Sequence, residues 1–270
     1  MGYMLFFVST PIGNLDDISY RAVNILRSCN IIACEDTRHS KILLDHYDIK
    51  AKTIAYHKFN ETNSADGIIA LLNQGKNVAV ISDAGMPVIS DPGNILAKKL
   101  IENNLQFTII PGANAGLSAL VLSGFDATQF AFFGFLSEKN KELKKQLEDI
   151  KNFNGTKILY SSKYNINKDL ESIYSALGNV RVAIVSEITK MHENVITTTL
   201  PFTLDEPKGE FVLVIEQAVN SDPIQLSDED ILMELRTLMR SNTKNDAIKL
   251  LKDKYKLTKS YVYNLYEKNK

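Results

Sequence analysis

Glu35, Asp36 and Arg38 stand together in Glu35-Asp36-Thr37-Arg38-His39, directly after the apolar run Ile31–Cys34. A carboxylate there can accept a proton or a hydrogen bond, and an arginine fork can hold a phosphate. Successive residues at a strand end point in different directions, so Glu35 and Asp36 need not act as a pair. The same run also reads as a helix start, with Asp36 or Thr37 as cap and Arg38 on the surface. A denser tract is Ser82-Asp83-Ala84-Gly85-Met86-Pro87-Val88-Ile89-Ser90-Asp91-Pro92-Gly93, with two acids, two glycines and two prolines in twelve positions. Proline fixes φ and glycine lets backbone approach a ligand closely. Ordinary strand-to-helix loops take about two to six residues, so this tract reads as a binding surface more than as a plain connection. Glu187-Ile188-Thr189-Lys190-Met191-His192-Glu193 adds a third charged cluster, in which His192 alone reads as a surface or satisfied histidine. Gly209, ahead of Glu210 and Phe211, marks either a close backbone approach or a simple turn.

These residues need elements to position them. Four apolar runs, Leu5–Val8, Ile31–Cys34, Val78–Ile81 and Phe107–Ile110, each precede a Gly/Pro or acidic loop and then a helical stretch. The loops are Ser9-Thr10-Pro11-Ile12-Gly13-Asn14, the Glu35 run, the Ser82 tract and Pro111-Gly112-Ala113-Asn114. That is the grammar of an open α/β sheet, in which ligands bind beyond the carboxyl ends of the strands. Ser19 suits a helix cap through Ser28, residues 64–73 read as a helix ended by Gly75, and Asn94–Glu102 and residues 113–122 as two more. Residues 1–120 thus form a βα-repeating unit with a mainly parallel sheet. Residues 121–220 read as a second α/β domain. Its strands fall near residues 130–136, 157–160, 182–186 and 211–215, with a lysine-rich helix over 138–150 and another over Ile166–Leu177. Composition shifts at residues 219–225, around Asp222-Pro223, and residues 225–270 read as a small, all-helical, basic third domain with starts at Ser227, Thr243, and Thr258 or Ser260.

Hydrophobic content of 44% and charged content of 23% in 270 residues are ordinary for a globular protein with a sizeable core. A net charge of −1 makes no whole-chain case for nucleic acid, and none for DNA, so any basic footprint must be local. One such place is residues 241–270, with eight Lys against three Asp/Glu and Tyr255, Tyr261, Tyr263 and Tyr266 interleaved. That stretch is either a solvated bundle face or a nucleic-acid-facing appendage. Cys29 and Cys34 read as reduced, partly buried thiols. The run over residues 3–8 is too short for a signal-peptide core, and no apolar stretch approaches the roughly 20 residues of a membrane helix, which points to the cytoplasm and away from a membrane. No Gly-x-Gly, Gly-Lys-Ser/Thr, Gly-x-Ser-x-Gly or His-Glu-x-x-His occurs. Dinucleotide, P-loop and zinc-hydrolase chemistry therefore lose ground, and with four scattered histidines no metal is expected.

In order and spacing, Ser9-Thr10-Pro11-Ile12-Gly13-Asn14-Leu15-x-Asp17-Ile18, Glu35-Asp36-Thr37-Arg38, the Ser82–Gly93 tract, Ile110-Pro111-Gly112, Thr189-Lys190-x-His192-Glu193 and Gly209-Glu210-Phe211 resemble the tetrapyrrole methylase-like superfamily of S-adenosylmethionine-dependent methyltransferases. Within it the likeness is to the branch that methylates small-subunit ribosomal RNA. The resemblance implies two α/β domains with the methyl donor in the cleft between them, a small C-terminal helical domain, and a homodimer. It implies S-adenosyl-L-methionine as co-substrate and 2′-O-methylation of a cytidine in the decoding region, on 16S rRNA or the assembled 30S subunit. Carried over by position, the donor contacts would be Pro11, Ile12, Gly13, Asp83, Ala84, Gly85, Met86, Pro111, Gly112, Asn114, Tyr160, Ser161, Ser186, Gly209, Glu210 and Phe211. Glu35 or Asp36 would serve the hydroxyl, with Arg38 and Lys190 on flanking phosphates. Two departures stand out. Met86 replaces the family's usual Thr, and Ser161-Ser162-Lys163-Tyr164-Asn165 replaces its Glu-Ser-Pro-His-Arg, with Lys163 a possible substitute charge. The rival expectations are a same-superfamily methyltransferase for a small tetrapyrrole, and a non-catalytic RNA-binding module.

Overall fold

A computed structural model describes residues 4–57, 61–217, 227–239, 242–255 and 257–269. Contacts divide the chain into two units, Met1–Gln217 and Ala218–Lys270. The expected composition break at residues 219–225 lies outside the described residues.

The first unit holds two five-stranded sheets. Strands β1 (Leu5–Val8), β2 (Ile31–Cys34), β3 (Lys52–Ala55), β4 (Val78–Ile81) and β5 (Phe107–Ile110) form the first, in order β3-β2-β4-β1-β5. All its pairings are parallel. Helices α1 (Tyr20–Ser28), α2 (Thr37–His46), α3 (Glu61–Asn73) and α4 (Asn94–Glu102) alternate with these strands. Leu5, Ile31, Val78 and Val80 pack with Ile68, Leu72, Leu96 and Leu100 of α3 and α4 on one face. Val8, Ile32, Ala79 and Ile81 pack with Ala22, Leu26 and Leu44 of α1 and α2 on the other. A parallel sheet covered on both faces needs strands that are apolar throughout, and β2 and β4 are buried at every position. Cys29 and Cys34 are free, buried thiols, and burial pushes both up to about 11.

Helix α5 (Ala115–Ser123), started by the Asn114 side chain accepting from the Leu117 N–H at 2.9 Å, leads to the second sheet. That sheet comprises β6 (Phe130–Phe135), β7 (Thr156–Ser162), β8 (Arg181–Ser186), β9 (Asn194–Thr199) and β10 (Glu210–Ile215), in order β6-β7-β10-β8-β9. Only β6–β7 is parallel; the other three pairings are antiparallel. Ile150 of α6 (Asn140–Asn152) and Ile166, Leu170 and Ile173 of α7 (Ile166–Leu177) cover one face. Ala119 and Leu120 of α5 cover the other, against Ile158, Ala183, Val212 and Val214. Each fully buried Leu, Ile or Val in these layers contributes about 1.5–3 kcal/mol.

The second unit packs α8 (Asp228–Leu238), α9 (Lys244–Tyr255) and α10 (Lys259–Lys268) around Leu235, Ala247, Ile248, Leu251 and Val262. Ser227 and Asp230 close a reciprocal capping box on α8, and Thr258 caps α10. Among the described residues no helix is long and apolar enough to cross a membrane.

Candidate active site

The loops after β1, β2 and β4 meet at the carboxyl edge of the first sheet because their backbones bond to one another. The Thr10 N–H donates to the Gly85 carbonyl at 2.9 Å, and the Gly85 N–H donates back to the Thr10 carbonyl at 3.1 Å. Gly85 has φ 81°, and an added Cβ would press on Ile12 at 3.2 Å. Asp83 accepts the Asp36 N–H at 3.1 Å, tying the β4 loop to the β2 loop. Gly112 approaches Ser9 so closely that a Cβ would lie 2.9 Å from that of Ser9.

Residues 82–93 are bent beyond what their composition prefers. Val88 has φ 77° and Ser90 φ 69°, left-handed conformations that cost a non-glycine residue about 1–3 kcal/mol each. The far end is clamped by Glu61, whose Oε1 accepts the N–H groups of Gly93 at 2.8 Å and Ile95 at 3.1 Å. Glu61 thus caps α4, whose own N-cap, Gly93, has no side chain to do so.

The second sheet answers with residues 187–190. Glu187 (φ 51°) and Thr189 (φ 65°) are again left-handed. The Glu187 Oε1 accepts the Glu210 N–H at 3.0 Å and the Lys190 ammonium at 3.1 Å, and Lys190 also reaches Glu210 Oε2 at 3.1 Å. Gly209 (φ 82°) lies against the Glu187 carboxylate where a Cβ would overlap it. Gly13 does the same from the β1 loop: its Cβ would sit 2.5 Å from Lys190 Cγ and 3.0 Å from the Ile188 carbonyl. Two glycines therefore let loops of both sheets close on one place.

Between them lies a cavity of about 330 Å³, lined by residues of both sheets. Of the sequence candidates, Ile12, Asp83, Ala84, Gly85, Met86, Asn114, Tyr160, Ser161, Lys190, Glu210 and Phe211 form its wall. Pro11, Gly13, Ser186 and Gly209 adjoin wall residues in sequence, Gly112 packs on Ser9, and Pro111 is not in the wall. Glu35, Asp36 and Arg38 are outside the wall. Asp36 caps α2 through the Arg38 N–H and grips the Arg38 guanidinium with both oxygens, at 2.8 and 3.2 Å. That arginine beside it holds the Asp36 carboxyl far below the usual carboxylate range. Arg38 itself is 90% exposed. The run is both a helix start and a presented cation.

Sequence reasoning assigned no chemistry to Asp91, Glu187, Ile188 or Phe135, which also line the cavity. Asp91 and Glu187 stood inside quoted tracts; Phe135 carried no signal. Burial, then Glu35 and Asp83, push the Asp91 carboxyl up to about 6 against a Ser82 hydrogen bond that lowers it. At Glu187 burial pulls upward, but the Glu210 N–H and Lys190 prevail and the carboxyl is lowered. Burial raises Tyr160, whose hydroxyl accepts the Gly116 N–H at 3.3 Å and whose ring meets Phe132 and Phe135 edge-on at 4.7 and 5.6 Å. At the two departures, Met86 is part of the cavity wall and Ser161 donates to the buried Asp169 carboxylate at 2.5 Å. Lys163 lies over the Tyr164 ring at 5.0 Å and is not in the wall. Among the described residues no group of three or more His, Cys, Asp or Glu is placed to hold a metal ion.

In the helical unit the interleaved tyrosines are committed. Tyr255 and Tyr261 donate to Glu234 and Asp228 at 2.6 and 2.5 Å. Tyr263 and Tyr266 carry Lys244, which also pairs with Glu267. Lys249, Lys259 and Lys268 are exposed.

Comparison with known proteins agrees in family. Residues 4–202 match the family model for tetrapyrrole (corrin/porphyrin) methylases. A Synechocystis sp. protein named ribosomal RNA small subunit methyltransferase I is 39% identical, over 97% of this chain and 96% of its own. A Bacillus subtilis protein of the same name is 36% identical, over 97% and 94%. The crystal structure of a uroporphyrin-III C-methyltransferase from Thermus thermophilus superposes with a TM-score of 0.58 at 17% identity, covering 80% of this chain and 95% of that one, a likeness of fold.

Proposed function

The chain belongs to the tetrapyrrole methylase family, in its ribosomal RNA small subunit methyltransferase I group, and we propose that it methylates the 2′-hydroxyl of a cytidine in the decoding region of small-subunit rRNA. The observation that carries this reading is a cavity walled from both sheets by residues of the motif segments. Its size falls at the lower end of the roughly 300–1,000 Å³ of small-molecule sites. Its wall suits S-adenosylmethionine: Ile12, Met86, Ile188, Phe211 and Val212 are apolar, while Asp83 and Glu187 favour a sulfonium and an ammonium. The donor supplies an activated methyl group. The protein's part is to hold it, to aim a ribose oxygen at it and to exclude water.

Ser161, oriented by Asp169, and Asn114 supply polar contacts, and the Lys190–Glu187–Glu210 clamp fixes the second-sheet wall. Arg38, presented on the surface and aligned by Asp36, takes an RNA phosphate. In this role Asp36 orients the guanidinium; a carboxylate so firmly paired is a poor proton acceptor. The remaining basic footprint is the exposed lysines of α6 and of the helical unit, so RNA affinity falls with salt. We take residues 1–120 and 121–220 as two lobes of the donor cleft and 225–270 as an RNA-facing domain, acting in the cytoplasm. A homodimer is supported by α5, which leaves the apolar side chains of Leu117, Val121 and Leu122 exposed.

Incubation with methyl-labelled donor and small ribosomal subunits, followed by nuclease mapping and mass spectrometry, tests the reading. A 2′-O-methylcytidine in the decoding region is expected. Label absent from RNA, or present only on a corrinoid offered in parallel, overturns it.

A further inference from the structure

Four carboxylates line the cavity: Asp83, Asp91, Glu187 and Glu210. Three are committed. Asp83 accepts the Asp36 N–H, Glu187 holds the Glu210 N–H and Lys190, and Glu210 shares Lys190. Among the described residues, Asp91 is the wall carboxylate on which neither a cation nor a backbone N–H is fixed. The groups that face it are the Ser82 hydroxyl and Asp83 from its own loop, Glu35 from the end of β2, and Tyr160 from β7. Across the cavity stand Glu187, Lys190 and Glu210. Its loop is held at Gly85 by Thr10 and at Gly93 by Glu61, with strained Val88 and Ser90 between. A tract bent at such cost and pinned at both ends places in the wall one carboxylate that holds neither a cation nor a backbone N–H.

We propose that Asp91 takes the proton of the attacking ribose hydroxyl. This rests on the ribose-methylation reading above. As the new C–O bond forms, the O–H proton passes to an Asp91 oxygen and the C–S electron pair returns to sulfur. A sulfonium and a carboxylate are consumed, and a neutral thioether, a methyl ether and a carboxylic acid remain. The other three are poorly suited, since each would have to release a backbone N–H or an ammonium to accept the proton, whereas Asp91 has only the rotatable Ser82 hydroxyl beside it. A carboxyl titrating near 6 is ionised at neutral pH yet far more basic than an ordinary aspartate, which suits a general base.

The test compares the wild-type protein with Asp91→Asn. Single turnovers on small subunits should slow by about 100-fold or more in the variant. The rise in wild-type rate between about pH 5 and pH 7 should be lost, while donor affinity stays within about threefold. A second readout needs no turnover. Calorimetry in buffers of differing ionisation enthalpy should show that the cationic donor displaces a fraction of a proton from the wild-type protein at about pH 6, none at about pH 8, and none from the variant at either pH. A variant rate within about tenfold of wild type, donor affinity falling as much as rate, or equal proton release from both proteins overturns the proposal. If the variant fails to fold, the wild-type profile decides, and a flat rate across that range overturns it. Absence of methyl transfer by the wild-type protein would instead count against the ribose-methylation reading itself.

Discussion

Residues 82–93 and 187–193 face one cavity from different sheets and share a backbone device: non-glycine residues held at positive φ, Val88 and Ser90 in one loop, Glu187 and Thr189 in the other. Their electrostatics are opposite. In the second loop the wall acid Glu187 is answered by the Lys190 ammonium and the Glu210 N–H, and is lowered. In the first, Asp91 is crowded by Glu35 and Asp83 and raised to about 6. The lesson is that strain alone does not mark the reactive group. One loop spends its bends on an ion-paired clamp, the other on a carboxylate left without a cation.

The contrast can be broken most forcefully at Gly209. Gly209→Ala must give up φ 82° and drive a methyl into the Glu187 carboxylate, dismantling the clamp. A loss of about 3 kcal/mol and at least about tenfold weaker donor binding are expected, by thermal melts and calorimetry. A native-like Tm would show that the clamp is not built on this contact.

Asp91→Asn probes the other loop. A carboxyl raised from 3.8 to about 6 on folding binds its proton more tightly in the folded state. Wild-type stability therefore falls as pH rises through that window, and above it the ionised group costs about 2–3 kcal/mol. The variant should be the more stable protein at about pH 7.5 and equal to wild type near pH 3, below both values. No gain at the higher pH would mean that Asp91 is compensated after all. A variant both more stable and slower is the exchange expected of a strained active site.

A smaller effect is expected at Thr189, a β-branched residue at φ 65° whose Oγ1 is buried without a partner among the described residues. Thr189→Gly removes both penalties and should raise stability by about 1 kcal/mol, or about 2–4 °C in Tm. A fall in Tm would sink the claim of strain there.

Lys190→Met should have the least effect on stability. Its ion pairs are partly solvated, so the cost is under about 1 kcal/mol. The lowered Glu187 stabilises the fold above its ordinary 4.5 and loses that contribution as pH falls. The variant should accordingly lose less stability than wild type on acidification from about pH 6 to pH 3. Identical acid limbs in urea titrations would remove Glu187 from the account.

How much was legible in the chain follows the same divide. The strands Leu5–Val8, Ile31–Cys34, Val78–Ile81 and Phe107–Ile110 and their loops could be read in advance. A short parallel strand is an unbroken apolar run, and its loop carries the Gly, Pro and acidic residues that function needs. Edge strands β3 and β9 escaped, because Lys52 and, in β9, Thr197 and Thr199 face solvent and dilute the pattern. The predominantly antiparallel pairing of the second sheet escaped as well, since buried strands there are also apolar throughout.

The order of the motifs thus carried the family resemblance and, through it, much of the cavity wall, while local residue chemistry determined the four-loop edge, through caps, turn residues and apolar runs that act within a few positions. Which acid is silenced and which is left reactive was decided only when the sheets met. Asp83 took the Asp36 N–H, Lys190 reached Glu210, and Asp91 came beside Glu35 and Tyr160. Charge compensation depends on distance in space and on burial, and neither is encoded by neighbours along the chain.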